Sequence, residues 1–272
     1  MTMFEQATAV DRVGEGRFQA KLSEDWCVWS PAGGYLMAVA IRAAGSESAF
    51  ALPLSATCHF LAVPKLEAVE LVVTSLRKTR VAESLRVTML QRDAPIVELL
   101  VWCGAPVEGY AHDAASFPQV PARETLPPHE PPVGVPGFNT LWKHLEHRPC
   151  GPLHWHRKEP AEPRQRDWIR LRDFPDAADP FLHAGRYAVV LDSFTWPAAA
   201  HAYAGDPRFI APTLAFSIEF HRHTTDAWLL SDAYAPVAAD GRINIHNHLW
   251  SSDGRLLATG NGTLICRPRP KR

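Results

Sequence analysis

Two portions of the chain share one order of hydrophobic and polar positions. The run GGYLMAVAIRAA has no proline and few β-branched residues, so it predicts a buried helix from about Gly34. Alternating apolar and polar residues then predict four strands, in SATCHFL, AVELVVTSLRK, ESLRVTMLQ and IVELLVWCG. The order returns later, where a helix from about Arg186 precedes TLAFSIEFHR, AWLLSDAYAP, GRINIHNHLWS and RLLATGNGTLICR. One apolar helix followed by several strands predicts a helix buried on one face of an antiparallel sheet.

Individual residues of the two portions also match in the same order. GGYLMAVAI aligns with GRYAVVLDS, so that Gly33 corresponds to Gly185 and Tyr35 to Tyr187. LSATCHF aligns with FSIEFHR, and LQRDAPIVELL aligns with WSSDGRLLATG. Three matches in one order predict an internal repeat.

The segment between the two portions is rich in proline. Residues 106–163 hold twelve of the 24 prolines and include PPHEPPVGVPG, which predicts neither a helix nor a central strand. We therefore predict an N-terminal unit over residues 1–105, a proline-rich connector over 106–163 and a C-terminal unit over 164–272.

The composition is that of an ordinary globular protein. Of the 272 residues 46% are hydrophobic, and the net charge is −1, so we expect neither a nucleic-acid partner nor a membrane partner. The basic tail RPRPKR is interpreted as a solvated terminus. The five cysteines are widely spaced without a C-x-x-C pair, and the N-terminal stretch lacks a signal-peptide pattern. These features predict a cytoplasmic protein with reduced thiols.

Three His-x-His pairs, in HWH, HRH and HNH, raise the question of a metal site. Each pair would lie on one strand face if extended, and Glu219 could join His221 and His223. No further residue completes a ligand spacing, so we interpret these histidines as polar surface positions and expect neither a metal nor another cofactor. G-x-S-x-G, a P-loop and a G-x-G-x-x-G after a strand do not occur.

Four motifs together resemble one enzyme family. AGGYLMAVAIRA, the LQRD turn, PTLAFSIEFHRH and WLLSD followed by GRINIHNHLWSSDGRLLATG are similar to the acyl-CoA thioesterase II (TesB-like) family. The resemblance covers both portions and leaves the connector unmatched. It implies an α+β double hotdog, with two central helices wrapped by one continuous sheet, and an acyl-CoA substrate. It also implies that the chain could assemble as a homo-oligomer of double hotdogs.

The resemblance implies catalysis by a water molecule without a covalent nucleophile. In the family an Asp on the second central helix, a Thr at the next strand start and a Gln on the last strand hold this water. The Asp falls on Asp192, the Thr on Thr213 and the Gln on or beside Gly262, where this chain has no Gln. Asn261 would supply a shorter amide if the strand bulges at a neighbouring glycine. Otherwise the chain is a weak or silent hotdog protein that binds acyl-CoA or acyl chains.

The residues themselves also single out Asp192. It is the one carboxylate in the apolar run YAVVLDSFTW, and a buried carboxylate has a raised pKa and is rarely retained without a role. The alternative is that Asp192 accepts hydrogen bonds from the other half. Thr213 has the strand parity that aims it away from the helix, so only a bulge or its place at the strand mouth would bring it near. A plain strand-start threonine is an equal alternative.

The glycines suggest where substrate would bind, and Gly262 on the last strand is counted among the substrate-binding residues. Gly33 and Gly34, with Tyr35 beside them, or Gly185 in the second copy, would let a carbonyl approach free N–H groups at a helix N-terminus. A tight turn between loop and helix explains the same glycines without a ligand. Ala40 stands where the repeat would place a second Asp192, so only one of the two sites is expected to work.

Overall fold

The structure is a computed structural model that describes residues 1–130, 139–175, 179–204, 206 and 208–269. Its α-helices are α1 (Met3–Ala7), α2 (Gly33–Glu47), α3 (Pro180–Ser193) and α4 (Thr195–Ala200). The strands of the first half are β1 (Asp11–Gly14), β2 (Arg17–Lys21), β3 (Leu52–Phe60), β4 (Ala68–Lys78), β5 (Ala82–Gln91) and β6 (Ala94–Gly104). Those of the second half are β7 (Leu145–Pro149), β8 (Arg164–Leu171), β9 (Phe209–Ile210), β10 (Thr213–Phe220), β11 (Trp228–Ala239), β12 (Arg242–Ser251), β13 (Leu256–Ile265) and β14 (Arg267–Pro268).

Twelve strands form one continuous antiparallel sheet. Their order is β1-β2-β4-β5-β6-β3-β10-β13-β12-β11-β8-β7. Corresponding strands of the two halves, such as β3 and β10 or β6 and β13, lie at mirrored positions in this order. The two halves join where β3 pairs with β10, with Cys58 opposite Phe216. Helices α2 and α3 cover the inner face. The predicted α+β double hotdog, with two sheets joined edge to edge, is therefore confirmed.

All eight strands predicted from the alternating pattern are present, as β3–β6 and β10–β13. The second helix begins earlier than predicted, at Pro180 instead of about Arg186. Asp179 caps it by accepting hydrogen bonds from the N–H groups of Phe181 (2.9 Å) and Leu182 (3.3 Å). An Asp-Pro pair at the N-cap and first helical position is a known start signal, and the sequence prediction missed it.

The central helices touch each other at glycines. A Cβ on Gly34 would lie 2.5 Å from the carbonyl oxygen of Ala188, and one on Gly185 would lie 3.1 Å from the Cβ of Ala38. Only glycine lets two helix backbones approach this closely. The helix crossing therefore requires glycine at Gly185, which the repeat aligns with Gly33, and at Gly34, the neighbour of Gly33.

The predicted connector contributes more to the sheet than its proline content suggests. Residues 131–138 lie outside the described residues, but β7 forms the edge of the large sheet and ends at Pro149. Leu141 and Leu145 are almost fully buried in the main core. An edge strand tolerates a proline because one side of it needs no ladder partner. The part of the connector from about residue 140 thus belongs structurally to the second half.

Membrane insertion through a helix is not indicated within the described ranges, since none of their helices combines the length and apolarity that a membrane span requires.

Candidate active site

The centre of the site is the carboxylate of Asp192, near the end of α3. Its Oδ2 accepts a hydrogen bond from the backbone N–H of Gly34 at 2.8 Å, and its Oδ1 accepts one from the hydroxyl of Thr213 at 3.1 Å. Gly34 belongs to the other half of the chain, and Thr213 is the first residue of β10. The fold therefore brings together Asp192, Thr213 and Gly34, three residues that the sequence analysis selected.

The contact with Gly34 follows from how α2 begins. Its N-cap residue is Ala32, whose side chain cannot accept a hydrogen bond from the first turn. The first N–H groups of a helix need acceptors and favour negative charge. Asp192 supplies both from another helix. The structure thus shows the hydrogen bond to the other half that the sequence analysis gave as the alternative to a catalytic role.

Thr213 reaches Asp192 because β10 is irregular at its start. Thr213 lies opposite Leu264 of β13, whereas Ala215 lies opposite Thr263, so the register shifts between them. The shift breaks the strict alternation that would have turned the threonine away from the helix. The sequence analysis expected Thr213 to reach Asp192 only if the strand is irregular or at its mouth, and the register shift is such an irregularity.

Burial by the surrounding protein raises the pKa of Asp192 above that of an ordinary carboxyl group. The hydrogen bonds from Gly34 and Thr213 stabilise the charged form and oppose this rise. No ion pair to Asp192 occurs within the described part of the chain. As a whole residue Asp192 is partly exposed, although its carboxylate is surrounded by protein.

Cys58 is the thiol closest to this chemistry. It lies on β3, is fully buried, and burial together with the Asp192 charge raises its pKa well above the ordinary value. A thiol in this environment stays protonated and is a poor nucleophile. Cys58 is therefore not suited to act as a nucleophile beside Asp192.

Gly33 packs closely against the side chains of Asp192 and Phe60. A Cβ on Gly33 would lie 2.9 Å from Asp192 Oδ2 and 2.9 Å from Cζ of Phe60. The N–H groups of Gly33 and Tyr35 donate to no acceptor among the described residues. Two helix N–H groups thus remain available next to the carboxylate.

The end of α3 is fixed by two further hydrogen bonds. The hydroxyl of Thr195 donates to the carbonyl oxygen of Asp192 at 2.9 Å, and the side-chain amide of Asn247 donates to that of Leu191 at 2.5 Å. Asn247 is buried on the inner face of β12 and was missed by the sequence analysis. In HNH, Asn247 lies between two exposed histidines, so strict alternation would have predicted that its side chain faces inward.

Asn261 and Gly262 do not contact Asp192 in the structure. Pairing of β13 with β10 is regular from Gly260 to Gly262, so Asn261 faces outward and bonds His246 at 2.5 Å. Gly262 faces inward, but a Cβ there would lie 2.6 Å from the ring of Phe216. That ring fills the space in which a longer side chain would reach the site. The bulge that would have brought Asn261 to the site is absent, and neither residue supplies an amide to Asp192.

Gly185 and the side chain of Tyr35 have packing contacts that account for them without a ligand. Gly185 lies inside α3 against Ala38, so its N–H is not at a helix N-terminus. Tyr35 is fully buried, and burial raises its pKa to about 12. Its hydroxyl donates to the carbonyl oxygen of Ala7 and accepts from the N–H of Ser23. The Tyr35 side chain therefore anchors the N-terminal segment, and only its backbone faces the site.

The His-x-His pairs do not come together. HWH forms a 3-10 helix, His154–His156, and is not extended. His221 bonds the hydroxyl of Thr259 at 3.1 Å, and His246 bonds Asn261. In the ranges that the structure describes, no group of three or more His, Cys, Asp or Glu residues is arranged to hold a metal ion.

Comparison with known families identifies both halves. A family model for the acyl-CoA thioesterase N-terminal domain matches residues 22–104, and one for the C-terminal domain matches residues 116–265. Among curated proteins, human acyl-coenzyme A thioesterase 8 is 28% identical over 130 residues, which cover 47% of this chain. The matched segment spans only 40% of the human protein.

Solved structures show the same fold over nearly the whole chain. A conserved protein of unknown function with a hot dog fold, from Alicyclobacillus acidocaldarius, has a TM-score of 0.84 at 23% identity and covers 98% of both chains. The TesB protein of Mycobacterium avium subspecies paratuberculosis has a TM-score of 0.81 at 22% identity, covering 97% of this chain and 98% of its own.

Proposed function

Because the chain belongs to the acyl-CoA thioesterase family, with matched N-terminal and C-terminal domains, we propose that it hydrolyses acyl-CoA to a free acid and CoA. The observation that carries the proposal is the Asp192 carboxylate. It lies at the N-terminus of a helix from the other half, next to two N–H groups that have no acceptor among the described residues.

Asp192 acts as the general base. Each carboxylate oxygen accepts one hydrogen bond from the protein and keeps a further lone pair for a water molecule. Ionised Asp192 takes a proton from this water as its oxygen attacks the thioester carbonyl carbon. The raised pKa strengthens the base and brings it closer to neutral pH, where general bases work best.

The N-terminus of α2 stabilises the charge that develops on the carbonyl oxygen. The N–H of Gly34 is already used by Asp192, so the donors are the N–H groups of Gly33 and Tyr35. Fixed backbone donors of this kind need no reorganisation during the reaction. Gly33 must lack a side chain because a Cβ would touch both Asp192 and Phe60.

The leaving group explains why so few residues suffice. When the tetrahedral intermediate collapses, the C–S bond breaks and CoA leaves as a thiolate, which needs little help from an acid. The proton held by Asp192 then passes to solvent or to the thiolate, and the carboxylate is regenerated. No serine or cysteine nucleophile is required.

A second candidate function is binding of acyl-CoA without efficient turnover. It is favoured by Gly262, which carries no amide, and by the Phe216 ring that fills the space above it. In this case Asp192 serves only to cap α2.

Release of free thiol from a panel of acyl-CoA substrates separates the two functions. We expect turnover by the wild type and a loss of roughly a hundred- to ten-thousand-fold in kcat for Asp192→Asn, the usual contribution of a general base. Asp11→Asn, at an exposed position on β1, is the matched control and should keep full activity. Binding without turnover in the wild type would establish the second function, and full activity of Asp192→Asn would show that another group is the base.

A further inference from the structure

The described part of the C-terminal basic segment, residues 267–269, is paired with another part of the chain. Arg267 and Pro268 form β14, which pairs with Phe209 and Ile210 of β9 in a second, two-stranded sheet. The N–H of Arg269 donates to the carbonyl oxygen of Arg208 at 2.8 Å. The backbone thus fixes a part of the chain that its sequence predicts to be a solvated terminus.

This small sheet is attached to the mouth of the candidate active site. Ile210 lies three residues before Thr213, and Arg267 lies opposite Ile210. Three extended residues span at most about 11 Å, and paired strands lie about 5 Å apart. The Cα atom of Arg267 is therefore within about 16 Å of that of Thr213, which holds Asp192.

The charge around β14 is unbalanced. Arg208 pairs with Asp206 at 2.6 Å, and Arg242, which adjoins the end of β13, pairs with Asp240 at 3.2 Å. Arg267 and Arg269 are both exposed and have no ion-pair partner among the residues that the structure describes. Two arginines at this edge are thus free to bind an anion. The sequence continues with Lys271 and Arg272, outside the described residues.

We propose that this edge, defined by Arg267 and Arg269, binds the phosphate groups of the CoA part of the substrate. The inference rests on the proposed hydrolysis of acyl-CoA. A thioester at Asp192 is joined through the long pantetheine arm to the diphosphate and 3′-phosphate of CoA, which must lie outside the site. Guanidinium groups match phosphate oxygens in geometry and charge, so arginines near the mouth are suited to this part of the substrate.

The proposal makes the phosphates, and not the acyl group, the feature that Arg267 and Arg269 recognise. An acyl thioester of N-acetylcysteamine carries the same reacting bond but ends before the phosphates. The double variant Arg267→Gln/Arg269→Gln should raise KM for acyl-CoA roughly three- to tenfold at low salt, as expected for two exposed charge contacts. It should leave kcat unchanged, and KM for the N-acetylcysteamine thioester should not move.

Salt and a control variant sharpen the experiment. The difference in KM should shrink as salt approaches about 1 M, because exposed charges are screened. Arg255→Gln removes an exposed arginine at the opposite end of the β12–β13 hairpin and should behave as the wild type. An unchanged KM for acyl-CoA in the double variant, or an equal change for both thioesters, would overturn the proposal.

Failure of the proposed function would be visible separately. If the wild type hydrolyses neither thioester, there is no thioesterase activity to modulate. Titration calorimetry with CoA alone then decides the present proposal. The double variant should bind CoA three- to tenfold more weakly than the wild type, and equal binding would refute the phosphate site.

Discussion

The contact between the two central helices predicts a strong effect of one methyl group. In Gly34→Ala the new Cβ would lie 2.5 Å from the carbonyl oxygen of Ala188 and 2.7 Å from the Cα atom of Val189, against 3.4–4 Å for ordinary contact. Both neighbours are backbone atoms of α3, so no side-chain rotation relieves the clash. Overpacking of this kind costs about 1–3 kcal/mol. The better helix propensity of alanine returns at most about 1 kcal/mol. We therefore expect the free energy of unfolding to fall by about 1–2 kcal/mol.

The neighbouring glycine should behave differently. In Gly33→Ala the Cβ would meet only the ends of two side chains, Asp192 and Phe60, which can move. Stability should stay near that of the wild type, while thiol release falls by up to about a hundredfold because the base is displaced. Gly151→Ala is the control, since a Cβ there meets nothing within 4 Å.

Urea denaturation of the three variants, together with thiol release, tests this reasoning. A midpoint for Gly34→Ala equal to that of Gly151→Ala would show that the helices do not approach as closely as described. Equal destabilisation by Gly33→Ala and Gly34→Ala would refute the distinction between a backbone clash and a movable side chain.

Three further predictions concern the site. Activity should rise with pH as Asp192 ionises, with a midpoint above that of an ordinary carboxyl group. Thr213→Val removes a hydrogen bond that lowers the pKa of Asp192, so it should move the midpoint of the pH–rate profile higher. An unmoved or lower midpoint would contradict this prediction. The raised pKa of Asp192 in the folded state stabilises the fold at low pH, and this contribution is lost as pH rises through that pKa. Near neutral pH, Asp192→Asn should therefore be at least as stable as the wild type in thermal unfolding. A clearly lower unfolding temperature of this variant would contradict the prediction. Gly262→Ala should lower the free energy of unfolding by about 1–3 kcal/mol through its clash with Phe216, and Phe216→Leu should relieve that clash in the double variant; additive losses in urea would disprove the contact.

Much of the fold could be predicted from the sequence because its signals are local. Alternation of apolar and polar residues predicted β3–β6 and β10–β13, since one face of each strand is buried against the helices. The ordered repeat predicted two equivalent halves. The two outermost strands at each end of the sheet, β1 and β2 at one end and β8 and β7 at the other, were not predicted from this pattern. In β7 the proline-rich context hides a strand that forms the edge of the sheet.

The site was predicted only where a residue's own chemistry marked it. Asp192 is a lone carboxylate in an apolar helix, and that local fact singles it out. Asn261 was an amide at a fitting sequence position, but regular pairing at Gly260 and Gly262 turns it outward. No local pattern distinguishes a strand that bulges there from one that does not, because the register depends on β10.

The sequence by itself determined the two helix-and-sheet repeats and the carboxylate on the second helix. Only the tertiary structure decided what that carboxylate touches. Gly34 and Thr213 are separated from Asp192 by 158 and 21 residues, and they meet it because two helices cross at glycines and because β10 shifts register at its first residue. Such contacts depend on packing between distant elements, which periodicity along the chain does not encode.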